Sequence, residues 1–286
     1  MRTEARTALL AGAALTGFAA NSLLCRLALG PRLVDAATFT AVRLLSGAVV
    51  LALLVLGRSG ASRPAGTWRA AFALFAYAAA FSFAYLALPA GTGALILFGV
   101  VQATMIGWGL VGGERLRPVV WLGLGLAVSG LVALTLPGLS APDPGGALCM
   151  AVAGVAWGVY SLLGRGTKDP LAATAGNFLR AVPMALALLA GVTLYGAVPH
   201  ATVRGLVLAA ASGALASGIG YSLWYAALRD LPASRAAIAQ LSVPALAAAG
   251  GVLLLAEPLT PRLAVAGAAI LAGVATAVTS KAAPPR

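Results

Sequence analysis

Long apolar stretches separated by short charged segments run through the whole chain. Seven of them contain no Asp, Glu, Lys or Arg: residues 7–25, 118–142, 144–164, 181–203, 205–228, 236–256 and 263–280. An eighth, residues 70–113, is long enough for two helices, and a further run is broken by Arg43. Because an α-helix of about 20 apolar residues crosses a bilayer, the pattern predicts ten spans, at about 7–28, 35–57, 67–87, 91–112, 118–137, 145–164, 171–195, 203–227, 233–255 and 262–280.

Composition agrees with an all-α integral membrane protein. Hydrophobic residues make up 61% of the chain and charged residues 9%, whereas a soluble domain is about 25% charged. The net charge of +12 would also fit a nucleic-acid-binding protein. However, Lys and Arg are concentrated in the short predicted loops, where they orient membrane proteins. We therefore expect a lipid bilayer as the surroundings and no nucleic-acid partner.

A repeated motif divides the chain into two halves. Gly-Glu-Arg-Leu-Arg-Pro at residues 113–118 is echoed by Ala-Glu-Pro-Leu-Thr-Pro at residues 256–261. The two glutamates, Glu114 and Glu257, are 143 positions apart in a chain of 286. Self-similarity at a fixed offset indicates repeated structural units. The predicted domains are therefore a first five-helix repeat over residues 1–140 and a second over residues 141–286.

Five spans in each half give the two repeats opposite orientations in the membrane. An odd number of crossings makes the second repeat enter from the other side, as in inverted-repeat transporters. With the N-terminus inside, thirteen Lys and Arg residues lie on the cytoplasmic side and four on the other. The positive-inside rule thus predicts both termini in the cytoplasm and a multi-pass protein of the inner (plasma) membrane.

These features resemble the drug/metabolite transporter superfamily, and within it the EamA-type carriers. The resemblance rests on ten spans in two inverted halves and on a Glu-x-Leu-x-Pro motif closing spans four and nine, each followed by a Gly-rich helix. A narrower similarity, based on the aromatic spans, is to the YddG-type exporters of aromatic amino acids. The resemblance implies a basket-like bundle around a central cavity lined largely by spans three, four, eight and nine.

Aromatic and amide side chains recur inside the predicted spans. Tyr77, Phe81 and Tyr85 have helical spacing and share one face of span three, and a lipid-facing amide would be costly. Packing between helices is the alternative role for the aromatic residues. The predicted substrate-cavity residues are Asn21, Tyr77, Phe81, Tyr85, Gln102, Trp157, Tyr160, Tyr221, Trp224, Tyr225 and Gln240.

Two arginines, Arg43 and Arg180, lie inside predicted spans. Three roles remain open for them: snorkelling to the interface, attraction of a substrate carboxylate, or a structural ion pair. The inverted topology favours Arg43 with Glu257 as an outer gate and Arg180 with Glu114 as an inner gate. Pro183 and Pro244 lie within spans seven and nine, where proline favours a kink, so both are candidate hinges.

The chemical inventory favours a carrier over an enzyme. The single histidine, His200, falls in a predicted loop, no nucleophile or phosphate-binding motif is present, and no cofactor or metal site is expected. We predict a secondary transporter that exports a small organic metabolite by alternating access, with aromatic or neutral amino acids as the leading class. The alternatives are a drug or metabolite exporter, a nucleotide-sugar-like antiporter or an importer. A monomer is expected, with a homodimer as the alternative.

Overall fold

The computed structural model describes residues 2–58, 64–113, 117–136, 141–165, 167–228 and 239–279, and these ranges are helical apart from their connections. α8 consists of three consecutive segments, an α-helix Val203–Ala211, a π-helix Ser212–Ile219 and an α-helix Gly220–Leu228. The other helices are α1 (Arg2–Leu29), α2 (Ala36–Leu56), α3 (Trp68–Ala84), α4 (Ala90–Val111), α5 (Pro118–Thr135), α6 (Pro144–Leu163), α7 (Pro170–Leu194), α9 (Ser242–Leu255) and α10 (Pro261–Thr279). The predicted all-helical class is confirmed.

Polar caps and prolines mark where the helices begin. Side-chain oxygens accept a hydrogen bond from the N–H three residues on, which satisfies a donor that the helix leaves free, at Asp35, Thr67, Asp143, Asp169 and Thr202. Proline is the first residue of α5, α6, α7 and α10, a position where its missing N–H costs nothing. The rare acids at the predicted span ends thus include three helix caps.

Seven helices of the described residues are long and apolar enough to cross a membrane: α1, α2, α4, α5, α6, α7 and α8. α3 has 17 residues and α9 has 14, so they are shorter than predicted. The first part of predicted span nine, residues 233–238, lies outside the described residues. Large apolar side chains such as Leu53, Leu122 and Leu253 are well exposed on the outside of the bundle, as expected for a surface that meets lipid.

Contacts between connections distinguish two ends of the bundle. At one end, which we call the Glu257 end, the segment after α1 pairs with the segment before α8: the His200 N–H donates to the Asp35 carboxylate at 3.0 Å. At the other, the Ala65 end, the segment before α3 meets the start of α7, because the Ala65 N–H donates to the Ala172 carbonyl at 2.9 Å. α1 therefore finishes at the Glu257 end, where α2 and α8 begin.

Asp35 fastens the Glu257 end outside the helices. Partial burial would raise the pKa of its carboxyl, but hydrogen bonds from the N–H groups of Thr38 and His200 outweigh that effect and lower the pKa below its ordinary value. A depressed carboxyl pKa stabilises the fold above the unfolded-state pKa of about 3.9 and loses that contribution as the pH falls through the folded-state value. The Asp35–His200 connection is therefore intact at neutral pH.

The helix contacts of the two halves correspond. If each helix of the first half is matched with the helix five places later in the chain, the same pairs are in contact. α5 packs on α10, α2 on α7 and α4 on α9, so each of these pairs maps onto itself. α1 packs on α8 and α9, and the corresponding α6 packs on α3 and α4. The Gly154 and Gly158 stripe of α6 lies directly against Val100 and Thr104 of α4, a close approach that small residues permit.

Candidate functional site

A central cavity lies between α1, α3, α4, α6 and α8. The space between these helices, counted together with its open mouth, is about 490 Å³. The residues that line it are Phe18, Asn21, Ser22, Tyr77, Phe81, Leu97, Phe98, Trp157, Ala216, Ser217, Tyr221 and Gln240. The family resemblance implied a lining from spans three, four, eight and nine. In the structure α1 and α6 also line the cavity.

Aromatic rings form a continuous wall of the cavity. Trp157 is stacked on Tyr221 with ring centroids 5.5 Å apart and an interplanar angle of 18°, and it also contacts Tyr77 at 4.7 Å. Phe81 and Phe18 extend the wall on either side, at 5.3 Å from Tyr77 and 5.6 Å from Tyr221. Such rings offer large apolar contact area with few rotatable bonds, so the wall suits a ligand with an apolar or planar part.

The π-helical segment of α8 contributes the polar side chain of Ser217 to the cavity. Ser212 is buried and donates to Asn21 Oδ1 at 2.6 Å, joining α8 to α1. Ala216 and Ser217, one turn further on, line the cavity. π-helical turns are rare and occur often at functional sites. The sequence does not predict this segment, because its small residues resemble ordinary helix-packing residues.

Arg43 lies behind the aromatic wall and is only 2% exposed. Its Nη2 donates to the Tyr77 hydroxyl at 3.2 Å, and its guanidinium carbon lies 5.2 Å from the ring centre of Tyr77 and 5.1 Å from that of Phe81. Its Nε and Nη1 are buried and have no hydrogen-bond partner within the described ranges. This full burial rules out the snorkelling role in the present structure.

Arg180, the equivalent residue of the second half, is bound differently. Its Nη1 donates to the Ala65 carbonyl at 2.6 Å and to the Gly176 carbonyl at 2.9 Å, at the Ala65 end of the bundle. Its predicted partner, Glu114, lies outside the described residues. Arg180 thus fastens the segment before α3 to α7 through backbone carbonyls.

Glu257 forms an ion pair, but with Arg26 instead of the predicted Arg43. The Arg26 Nε lies 3.1 Å from Glu257 Oε1, and the exposed fractions of the two side chains are 26% and 13%. The other oxygen, Oε2, accepts from the Ala90 N–H at 2.8 Å, at the first residue of α4. The predicted pairing is wrong here because Arg43 lies at cavity depth, whereas Arg26 is in the last turn of α1, at the Glu257 end.

Backbone and aromatic contacts complete this cluster. Ala256 has a left-handed conformation, with φ of 53°, which turns the chain at the end of α9 and lets the Glu257 N–H bond to the Gly251 carbonyl at 3.0 Å. Arg26 Nη1 also donates to the Tyr85 carbonyl at 3.3 Å, and the Tyr85 hydroxyl donates to the Ala90 carbonyl at 3.2 Å. We call Arg26, Tyr85, Ala90 and Glu257 the Glu257 cluster. It joins the ends of α1, α3, α4 and α9.

Six of the predicted cavity residues line the central cavity, namely Asn21, Tyr77, Phe81, Trp157, Tyr221 and Gln240. Gln102 instead lines a smaller pocket between α4, α5 and α10. Tyr85 belongs to the Glu257 cluster, Tyr160 accepts from Asn177 at 3.5 Å, Tyr225 lies 3.1 Å from the Thr174 hydroxyl, and Trp224 packs edge-on against Phe18. The four aromatic residues Tyr85, Tyr160, Tyr225 and Trp224 thus pack between helices, which is the alternative role that the sequence left open for aromatic side chains.

The two predicted hinge prolines occupy different positions. Pro183 lies inside α7. Pro244 is the third residue of α9, a position at which a helix has no internal hydrogen bond to lose. A turn at Leu241 separates α9 from the helical residues at 239–240, and Gln240 of the cavity lies directly at this interruption. Whether either proline acts as a hinge stays a prediction.

A bundle of apolar helices around an aromatic and polar cavity defines a multi-pass membrane protein built to hold a small molecule. Residues 144–279 match the EamA-like transporter family. The chain is 54% identical over 277 residues to an uncharacterised protein of Pseudomonas aeruginosa, PA1977, covering 95% of this chain and 94% of that one. A protein of known crystal structure is also similar, with a TM-score of 0.63, 25% identity and coverage of 93% and 96%.

The chain belongs to the EamA-like transporter family, within the drug/metabolite transporter superfamily. It is a membrane transporter of a small-molecule substrate and not an enzyme. Within the described residues, no group of three or more His, Cys, Asp or Glu side chains could hold a metal ion. The resemblance recognised in the sequence is thereby confirmed at the level of the family.

Proposed function

We propose that the protein is a secondary carrier that exports small organic metabolites by alternating access, with neutral or aromatic amino acids as the leading class. The observation that carries the proposal is the central cavity, which is lined both by the Trp157–Tyr221 stack and by the polar side chains of Asn21, Ser22 and Ser217. An aromatic wall suits an apolar side chain, and the polar side chains suit amino and carboxyl groups. A buried cation behind the wall, Arg43, disfavours cationic drugs.

We further propose that the two halves, residues 1–140 and 141–286, are inverted repeats of five spans each in the inner membrane, acting as a monomer. Two features support the inverted arrangement. α1 finishes at the Glu257 end, where α6 starts, since Gly146 of α6 lies against Leu88 and the Ala84 carbonyl at the end of α3. The main helix pairs also correspond between halves. Rocking of one such repeat against the other around a fixed site is the expected mode of alternating access.

Counterflow measures the proposed transport directly. Purified protein in liposomes loaded with unlabelled phenylalanine should accumulate labelled phenylalanine from outside, because exchange needs only a site that is exposed alternately to each side. Leucine and tryptophan should compete, and lysine should not, since a second cation would face Arg43. Liposomes without protein provide the control. No accumulation with any neutral amino acid would contradict the proposed substrate class.

Reporter fusions test the proposed orientation. A reporter active only in the cytoplasm, joined after Arg286, should be active, and a reporter active only outside should be silent there. The same pair of reporters joined after Gly196, in the connection that follows α7 at the Glu257 end, should give the opposite result. Outside activity after Arg286 would contradict the five-plus-five inverted arrangement.

A further inference from the structure

A buried arginine without a counter-ion needs an explanation in a membrane protein. A charge taken out of water is costly unless it is paired and hydrogen-bonded. Arg43 is buried and donates a hydrogen bond to the Tyr77 hydroxyl, while its Nε and Nη1 have no partner among the residues that the structure describes. The rings of Tyr77 and Phe81 stabilise the cation in part through their faces. Neither ring carries a negative charge, so within the described part of the chain nothing neutralises the charge of Arg43.

The carboxylates whose contacts are described are engaged elsewhere. Asp35, Asp143 and Asp169 cap helices, and Glu257 is bound to Arg26 and to the start of α4. None of these four side chains lies within ion-pair distance of Arg43. Arg180 shows that a helix arginine of this chain can be satisfied by backbone carbonyls. Arg43 is not satisfied in this way, which points to a counter-charge supplied by a ligand.

We propose that Arg43 is the positive charge that selects ligands with a carboxylate in the central cavity, an inference that deepens the proposed function. The guanidinium acts through the cavity wall, because Tyr77 accepts its hydrogen bond and lines the cavity. A hydroxyl that accepts a bond from a cation is a stronger donor of its own proton. A carboxylate beside Tyr77, Asn21 and Ser22 would therefore be held by hydrogen bonds and by the charge behind them.

Arg43 does not contact the ligand directly in this proposal. It lies behind Tyr77 and Phe81 and is not among the side chains that line the cavity. The apolar part of the ligand lies instead against Trp157 and Tyr221, whose stacked rings continue the wall next to Tyr77. Arg43 is thus a specificity-determining residue for charge, while the rings determine the fit of the apolar part.

Three probes of nearly equal shape separate these contributions: hydrocinnamate, its neutral amide hydrocinnamamide, and the cation phenethylamine. We expect the full-length purified protein to bind hydrocinnamate about tenfold or more tightly than the amide, and phenethylamine more weakly than either. Arg43→Gln should weaken hydrocinnamate binding by about tenfold or more and leave amide binding within about twofold, since tenfold corresponds to about 1.4 kcal/mol. Arg43→Lys, which keeps the charge, should retain most of the preference.

Arg180→Gln is the matched control, since it removes an in-helix arginine that is already satisfied by carbonyls, and it should keep the preference for hydrocinnamate. Monodispersity in size-exclusion chromatography shows that each variant is folded, and Arg43→Lys keeps the test valid if Arg43→Gln is not. Equal binding of hydrocinnamate and its amide by the wild-type protein would overturn the inference. So would an unchanged preference in Arg43→Gln.

Counterflow of phenylalanine distinguishes failure of the inference from failure of the proposed function. A charge preference that depends on Arg43, without phenylalanine counterflow, would support the anion site and contradict only the proposed substrate. Phenylalanine counterflow that is identical in Arg43→Gln and wild type would support the carrier and contradict the role of Arg43.

Discussion

Replacing Glu257 with glutamine should shift the carrier toward the state that is open at the Glu257 end, by roughly five- to a hundredfold in the equilibrium between states. The ion pair with Arg26 joins α9 to α1 and is mostly buried, with 26% and 13% of the side chains exposed. Breaking a pair of this kind costs more than the ~0–1 kcal/mol of an exposed pair and less than the ~3–5 kcal/mol of a fully buried one. An interaction made in one state only shifts the equilibrium by its own differential energy.

The substitution isolates the charge, because glutamine keeps an oxygen that can still accept the Ala90 N–H bond made by Glu257 Oε2. A cysteine at Ser217, in the cavity wall, reports the change when Cys25 and Cys149 are replaced. Labelling of that cysteine with an impermeant thiol reagent should become faster from the outer face in Glu257→Gln and slower from the cytoplasmic face. Alternating access requires the two rates to change in opposite directions.

The pair of Arg58 and Asp169 provides the matched control. Its atoms are 3.5 Å apart, and the side chains are 44% and 36% exposed, so Asp169→Asn should change labelling by less than about fivefold. A double-mutant cycle of Arg26→Gln with Glu257→Gln should show that the two effects are not additive. Unchanged labelling in Glu257→Gln, or a change of the same sign from both faces, would contradict the prediction. The Glu257 cluster would then stabilise the fold equally in both states.

The two gates predicted from sequence show what a repeat can and cannot specify. The repeat identified Glu257 as a residue of structural consequence, and it forms an ion pair at the end of the bundle. It did not identify the partner, because the positions of Arg43 and Arg26 differ in depth along a helix and in direction, which no offset encodes. Arg26 closes the stretch Ser-Leu-Leu-Cys-Arg at residues 22–26, which is matched by Ser-Leu-Leu-Gly-Arg at residues 161–165.

The cavity residues that could be predicted are those of a residue type that is rare in apolar helices. Those of a common type could not be predicted. Asn21 and Gln240 were identified because an amide in an apolar helix is costly unless it faces the interior, and both line the cavity. Tyr85, Tyr160 and Tyr225 have the same helical spacing as the cavity tyrosines, but their hydroxyls bond to neighbouring helices. Sequence spacing defines a helix face but not which neighbour covers it. Phe18, Ala216 and Ser217 were missed because phenylalanine and small residues occur throughout the chain.

Gly213 in the π-helical segment should tolerate no side chain. A Cβ at this position would collide with the Arg43 carbonyl oxygen and Ser46 Oγ, so α2 and α8 touch there backbone to backbone. The carbonyl cannot move without breaking the helix that places Arg43 behind the cavity. Overpacking costs about 1–3 kcal/mol even where side chains can adjust, and a collision with backbone should cost at least as much. We expect Gly213→Ala to lower the melting temperature by roughly 5–10 °C and Gly213→Val to abolish accumulation in the membrane.

Gly125 on α5 is the matched control, because a Cβ there meets nothing within 4 Å. Gly125→Ala should be neutral or slightly stabilising, since alanine favours a helix over glycine by about 1 kcal/mol. Thermal unfolding of the detergent-purified variants, followed by loss of monodispersity, measures both changes on one scale. If Gly213→Ala unfolded at the wild-type temperature, the close contact between α2 and α8 would be absent in the membrane. In that case the position of Arg43 would also lose support, because the Arg43 carbonyl is the α2 side of this contact.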